Sequence, residues 1–527
     1  MLHKIAFALL CTVIALGLIG SVSGATNGTA SVKMGYVFVS DTGSLNLNQE
    51  TFNLYQGFGL SVQNLRYSFG DGITLGADLR NITLNNRNLR ATLRKPGQFS
   101  LSVTNNQYRR VYSGDGSDFT RRAQTGVQAS YQPLRYVKVY GGYSLNDKHG
   151  TSVSLVSSAL DTVTSVTDYA QTSFNVGTQI GDKYGVVRVD YRHFLLNDRT
   201  LADVDHKADY FATSLSSSIP MVKQLFVAGG YAYRKDAYSR LTTTVRTNEL
   251  WGAVKATLPD GLLAELRMVY DMTKHSAPAR RDSVQEFDNI LTTAMLGKSF
   301  ERLGGIQVGY EQRVADDFTN KTTSKGYIFN GWCRPINNLY VSGRFTTRKK
   351  DVDAGSILTG TESGNRGQVM VSYSDTTWGV ASVRWQSRIR KNDDLNTKVE
   401  YQSISPSLEF KLKSYGRLVG TYSYSTGKFN NMSSKVSYEF LDHVVTGTYY
   451  LPTWHNLTAD VGGTFYASRR ENDIEKSNLN FGASYTFLNE YHLEARYNVF
   501  NYDNYLINDS YYTGNIVEVN LIKDISF

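Results

Sequence analysis

The sequence predicts an all-β protein, a single large transmembrane antiparallel up-and-down β-barrel of about 26 strands with no plug domain. Three observations predict it. Stretches of roughly ten residues alternate apolar and polar side chains to the end of the chain, and strand geometry puts such alternation on two faces, one for lipid and one for water. Short turns, often carrying proline, alternate with longer polar connections. After the N-terminal segment no apolar run approaches the ~20 residues that a spanning helix needs.

At the N-terminus, His3 and Lys4 precede an apolar run from Ile5 to Ile19, followed by Ser21, Ser23, Gly24 and Ala25. This is the pattern of a secretory signal peptide, expected to be cleaved near Gly24 or Ala25, which gives residues 1–25 as signal and 26–527 as barrel. Leu10 stands where a lipid-modified Cys11 would need a small residue, so Cys11 is expected to leave with the signal. Cys333 is then the sole remaining cysteine. With no C-x-x-C or C-x-x-C-H, the chain attaches no c-type haem and builds no thiolate metal site.

The first strand is expected near Ala30. Six of the eight prolines punctuate tight turns at Lys95-Pro96-Gly97, Gln132-Pro133-Leu134, Ile219-Pro220-Met221, Leu258-Pro259-Asp260-Gly261, Arg334-Pro335-Ile336 and Leu451-Pro452-Thr453. Proline donates no ladder hydrogen bond and so marks where pairing stops. Further tight connections read at Gly181 to Gly185, Glu301 to Gly305, Ser374 to Gly379, Lys413 to Gly416 and Asn489 to Tyr491. The alternate connections read as longer loops: Ser113 to Gln124, Leu145 to Asp168, Asn197 to His206, Asp236 to Arg246, Lys274 to Glu286, Val352 to Asn365 and Arg469 to Lys476. Leu45 to Leu54 reads as loop or extra strand. Ser433 to Leu451 reads as one long strand despite a possible turn at Leu441-Asp442-His443. In outer-membrane barrels short turns are periplasmic and long loops extracellular, so an even count places both termini in the periplasm.

The last strand shows the pattern at its clearest. Val517, Val519, Leu521, Ile525 and Phe527 share one face, and Glu518, Asn520, Ile522, Asp524 and Ser526 the other. The terminal Phe527 resembles the signal by which the barrel-assembly machinery recognises bacterial outer-membrane barrels. An integral protein of the outer membrane of a Gram-negative bacterium is expected, with outer-membrane lipid around it.

Composition agrees with that address. Only 41% of residues are hydrophobic, because half of each strand faces water, and the 36 tyrosines suit aromatic girdles at the two interfaces. Tyr131 with Tyr136, and Tyr485 with Tyr491, sit near expected strand ends. The net charge of +9 is dispersed rather than gathered in a patch, which argues against nucleic acid. The water-facing rows mix signs: Arg188, Asp190 and Arg192; Glu265, Arg267 and Asp271; Arg344 and Arg348; Arg384, Arg388 and Arg390; Glu494 and Arg496. Such rows suit contact with a protein in the lumen. They also line porins merely to keep a lumen wet, and no single arginine is marked as a selectivity residue.

Catalytic signatures are absent from the sequence. There is no G-x-S-x-G, no H-E-x-x-H and no Gly-rich phosphate loop followed by lysine, and no histidine has a partner at metal-ligand spacing. The Gly141-Gly142 and Gly229-Gly230 pairs lie inside alternating strands, where they suit bending or close packing. The chain therefore reads as a non-enzyme.

Width carries the functional expectation. With strands ~4.8 Å apart and tilted by ~40°, 26 strands enclose a barrel on the order of 50 Å across. Either loops fold inward together or another protein occupies the space. Breadth, strand count, short Pro turns and absence of a plug, with the stretches Glu50 to Leu65 and Leu79 to Tyr112, resemble the porin-cytochrome family of outer-membrane barrels. Those barrels sheathe multihaem cytochromes in metal-reducing and metal-oxidising bacteria. Unlike some members, this chain lacks an N-terminal C-x-x-C. The resemblance implies a sheath for a multihaem c-type cytochrome in transmembrane electron transfer, with haem on the partner and none bound covalently by the barrel. The alternative is a diffusion porin or substrate-specific channel with inward-folded loops.

Overall fold

The computed structural model describes residues 28–526 except 44–55, 112–117, 156–161, 201–204, 220–223, 240–241, 277–284, 301, 317–320, 353–362, 393–395, 472, 489 and 507–510. The signal segment, Leu45 to Leu54 and Phe527 lie outside the described residues. Twenty-six antiparallel strands form one sheet. Strand β1 (Gly28–Gly43) closes on β26 (Tyr511–Ser526) in a continuous register from Thr29↔Ser526 to Gly43↔Tyr512. Closure leaves no edge whose backbone groups would be unpaired in lipid.

From β1 the wall runs through β2 (Gly57–Ser68), β3 (Thr74–Arg80), β4 (Asn88–Lys95), β5 (Phe99–Val111), β6 (Phe119–Leu134), β7 (Val137–Leu155), β8 (Thr162–Gly181) and β9 (Gly185–Asp198). It continues through β10 (Asp205–Ser218), β11 (Leu225–Tyr238), β12 (Thr243–Thr257), β13 (Leu262–Ser276), β14 (Gln285–Ser299), β15 (Gly304–Asp316), β16 (Lys321–Ile336) and β17 (Leu339–Val352). The last arc is β18 (Ser363–Asp375), β19 (Gly379–Asn392), β20 (Thr397–Lys411), β21 (Arg417–Asn431), β22 (Val436–Tyr450), β23 (Leu457–Arg470), β24 (Ile474–Phe487) and β25 (Tyr491–Asn504). Strand β22 is unbroken, with Leu441, Asp442 and His443 paired to Thr426, Ser425 and Tyr424.

Every tight turn expected from the sequence falls between strands whose joined ends lie on the end of the barrel that carries Gly28 and Ser526, the turn end, with Pro220, Met221, Glu301 and Asn489 themselves outside the described residues. One further turn was not anticipated. Gly70-Asp71-Gly72 joins β2 to β3 with all three residues at positive φ, a conformation glycine adopts at no steric cost. Pro133 and Pro335 coincide with register shifts, between Tyr131 and Leu134 and between Cys333 and Ile336. Pro406 sits inside β20, paired to Val383 on one side while the register with β21 passes from Ile404 to Ser407.

Several expected loops are instead strand. Leu145 to Asp168 was the longest of them, yet β7 and β8 stay paired from Val137↔Ile180 to Leu155↔Thr162, leaving residues 156–161 as the connection. Phe119 to Gln124 belongs to β6, residues 239–242 alone join β11 to β12, and residues 471–473 join β23 to β24. For β7 and β8 the physical reason is composition: their Ser-, Thr- and Val-rich ends read as polar loop, but they pair well as strands that no longer need an apolar face. His149, His206 and His275, expected in these loops, accordingly lie in β7, β10 and β13.

The outward row carries exposed apolar side chains: Val383 and Trp385 on β19 lie opposite Val371 and Val369 on β18, and Met34 and Tyr36 on β1 lie opposite Leu521 and Val519. At the turn end it carries stacked aromatics, including Tyr485, Phe487 and Tyr491. Tyr131 and Tyr136 are both more than half exposed there, as a girdle requires.

The luminal wall as candidate functional site

The alternate row points into the bore, and its long side chains lie along the wall. Tyr140 on β7 faces Gly177 on β8, across which it reaches Asp190 on β9: Tyr140 Oη donates to Asp190 Oδ1 at 2.5 Å, and Arg188 Nε donates to Tyr140 Oη at 2.7 Å. A Cβ on Gly177 would stand 2.6 Å from the tyrosine ring, so only glycine leaves this path open. Trp251 lies over Gly230 in the same way, and Arg348 crosses Gly326 to bond Glu311 on β15, its Nε donating to Oε1 at 2.6 Å. The glycine pair at 229–230 is thus a packing device. Because these groups run tangentially, the bore keeps most of its backbone width.

Charge on this wall is organised by sector. On β7 to β11, Arg188 is paired with Asp190 at 2.6 Å, while Asp236 accepts from Arg234 at 2.7 Å and pairs with His206 at 2.9 Å. On β13 to β15, Asn289 donates to Asp271 and accepts from Arg313. Across the closing strands, Lys33 bonds Glu494 at 3.2 Å and Glu518 at 3.3 Å. In these three sectors opposite signs neutralise one another.

The sector from β16 to β19 differs. Arg344, Arg348, Arg366, Arg388 and Arg390 line one cavity with Glu311, and Arg384 stands beside them on the same row of β19. Among the described residues Glu311 is the one acid lining that cavity, and it is taken by Arg348. Arg366 and Arg388 are directly opposite each other, an arrangement that costs energy unless an anion lies between them. Among the described residues this side of the wall therefore carries an excess of positive charge, from mid-height towards the end opposite the turns.

Of the residues singled out in the sequence, the structure joins Arg188 to Asp190, brings Arg344, Arg348, Arg384 and Arg388 into one basic sector, and sets Glu494 in a network with Lys33. Arg192, Glu265, Arg267 and Arg496 lie on the same inward rows, on β9, β13 and β25, without being drawn into these networks. Sequence reasoning missed Tyr140, Glu311, Lys33 and Arg366, whose parts depend on the register between strands. It also missed that the bore is not polar throughout. Phe500, Tyr502 and Tyr512 form a buried cluster on the inward row near the end opposite the turns, where Tyr512 Oη donates to Asp41 at 3.1 Å.

Among the described residues no three His, Cys, Asp or Glu side chains gather as ligands, and His206 and His492 are each engaged by a carboxylate.

No protein-family profile matches the chain, and no curated protein does. Solved structures do. The siderophore receptor PirA from Pseudomonas aeruginosa is 10% identical with a TM-score of 0.51, over 82% of this chain and 81% of that one. PirA from Acinetobacter baumannii is 9% identical with a TM-score of 0.51, over 95% and 81%. The FrpB iron transporter from Neisseria meningitidis is 10% identical with a TM-score of 0.50, over 97% and 83%. At such identity the likeness establishes the fold alone: the chain is a large closed antiparallel β-barrel, similar in architecture to siderophore and iron receptors of the outer membrane.

Proposed function

We propose that the barrel is a sheath, holding a protein partner within its lumen, and that the partner is the multihaem c-type cytochrome implied by the resemblance to porin-cytochrome barrels. The observation that carries this reading is the shortness of the connections around so wide a bore. The longest gaps between strands are residues 44–56 and 353–362. A loop of that size, at ~3.4 Å per residue out and back, reaches at most ~22 Å. The barrel is on the order of 50 Å across, so such loops do not meet over its centre. A bore left open at that width would defeat the membrane as a barrier, and a resident protein would close it. In this reading the turn end and both termini face the periplasm, from which the partner enters, and the wall supplies polar contacts and burial while the partner carries the haem.

A second reading, a channel for anionic solutes, is suggested by the arginine-rich sector of β17 to β19, where Arg366 and Arg388 stand opposite each other. One experiment separates the two. The barrel is purified from its native outer membrane in mild detergent and visible absorbance is recorded per mole of chain. A Soret band co-eluting with a chain that has no haem-binding motif supports the sheath; a colourless barrel that conducts anions in a planar bilayer refutes it in favour of the channel.

A further inference from the structure

On the outer face, away from the bore, a second basic site stands out. On β6, Arg121, Ala123, Thr125, Val127, Ala129 and Tyr131 share the outward row, and Tyr131 belongs to the aromatic girdle of the turn end. Ten residues of strand at ~3.3 Å each, tilted by ~40°, lift Arg121 ~25 Å above that girdle. This is the height of the apolar band of such barrels. Arg121 therefore stands at the opposite interface, where lipid headgroups begin.

Two further arginines converge there. Arg109 on β5 is directly opposite Arg121, and Arg87, immediately before β4, is bonded through its carbonyl to the Gln107 backbone N–H, two residues from Arg109. Arg109 is occupied: its guanidinium lies 4.0 Å over the Phe119 ring, and it has further interactions of its own, as does Asp118. Asp147, on the neighbouring β7, is taken by Arg199 at 3.3 Å, and His149 lies opposite Arg121. Arg87 and Arg121 are left with buried Nε groups that have no hydrogen-bond partner. Burial and the nearby Arg121 charge push the Arg87 guanidinium below its ordinary value. A buried charged donor without an acceptor is costly, and two forks facing the same interface suit a tetrahedral dianion better than a lone carboxylate.

We infer that Arg87 and Arg121 bind a phosphate of an outer-leaflet lipid, anchoring the barrel wall to a specific headgroup. The inference takes from the proposed function only the orientation that puts the turn end in the periplasm, and it holds whether or not the bore is occupied. The test is native mass spectrometry of the detergent-purified barrel titrated with diphosphoryl lipid A, its dephosphorylated form, and inorganic phosphate. Wild type is expected to bind the phosphorylated lipid on the order of tenfold or more tightly than the Arg87→Gln/Arg121→Gln variant. The dephosphorylated lipid is expected to bind both alike, and a luminal Arg384→Gln/Arg388→Gln variant to behave as wild type. Compact migration on unheated gels reports that each variant is folded. Should the double variant not insert, Arg87→Lys, which keeps the charge and loses the fork, is expected to bind several-fold more weakly than wild type. Equal affinity of wild type and variants for the phosphorylated lipid overturns the site, and inorganic phosphate binding as tightly as the lipid overturns the lipid assignment.

Discussion

Replacing Gly177 with alanine tests whether the luminal side chains truly lie flat against the wall. The added Cβ would stand 2.6 Å from Cε2, Cζ and Oη of Tyr140. Ordinary carbon contacts need roughly 3.5 Å or more, so the ring must lift by about 1 Å. That movement strains both bonds to the phenol, from Arg188 at 2.7 Å and to Asp190 at 2.5 Å. Overpacking costs about 1–3 kcal/mol and each bond to a charged partner, half-exposed here, contributes about 1 kcal/mol. Alanine returns about 0.5–1 kcal/mol by restricting the unfolded chain. A net loss of about 2–4 kcal/mol is expected, read as a lower urea midpoint for the heat-modifiable band in detergent. Gly252→Ala is the control, because its Cβ meets nothing within 4 Å; it should be neutral or slightly stabilising. In a double-mutant cycle, Tyr140→Ala should erase most of the Gly177→Ala penalty. Equal effects at Gly177 and Gly252, or no coupling to Tyr140, would refute the flat-lying wall.

Neutralising Arg344, Arg366, Arg384 and Arg388 together to glutamine is expected to leave the barrel folded and, for the emptied barrel in a planar bilayer, to move the reversal potential towards cations; an unchanged potential denies the sector any hold on the lumen's field. Glu311→Gln should cost less than about 1 kcal/mol, since its partner Arg348 is half exposed, and should increase anion preference. An epitope inserted between Leu155 and Thr162 should bind antibody on intact cells, and one between Asp375 and Gly379 only after permeabilisation; the reverse pattern inverts the orientation.

How much of this was legible in the sequence depended on the range of the interaction. Alternation is local, so the inward position of Arg188, Arg344, Arg388 and Glu494 followed from counting residues along one strand. Proline is local as well, and it located turns on one end. Partnership is not local. That Tyr140 meets Asp190 across Gly177 follows from two successive registers, and a slip of one residue in either would exchange inside for outside. The extension of β7 and β8 to Leu155 and Thr162 was hidden for another reason. Beyond the lipid band neither face must be apolar, so strand and loop draw on the same Ser- and Thr-rich vocabulary. Pro406 shows the limit of proline as punctuation, since a strand can spare one ladder bond on one side while it keeps its partner on the other.

The arrangement of luminal charge bears on what such a bore is for. A pore that only needs to stay wet gains nothing from concentrating arginines in one sector, and the other three sectors described pair their charges locally, as Arg188 with Asp190 and Lys33 with Glu494 and Glu518. Opposed arginines such as Arg366 and Arg388 raise the energy of the empty barrel and lower it when an anionic surface arrives. At a breadth on the order of 50 Å, with a screening length of about 8 Å, that sector acts on what touches it and not on the bore as a whole. A small anion crossing the centre would pass largely unscreened by selection, whereas a protein that fills the bore would press one acidic face against the arginines and be fixed in rotation. The one-sided charge thus makes more physical sense as a docking face for a large occupant than as a filter for a small one.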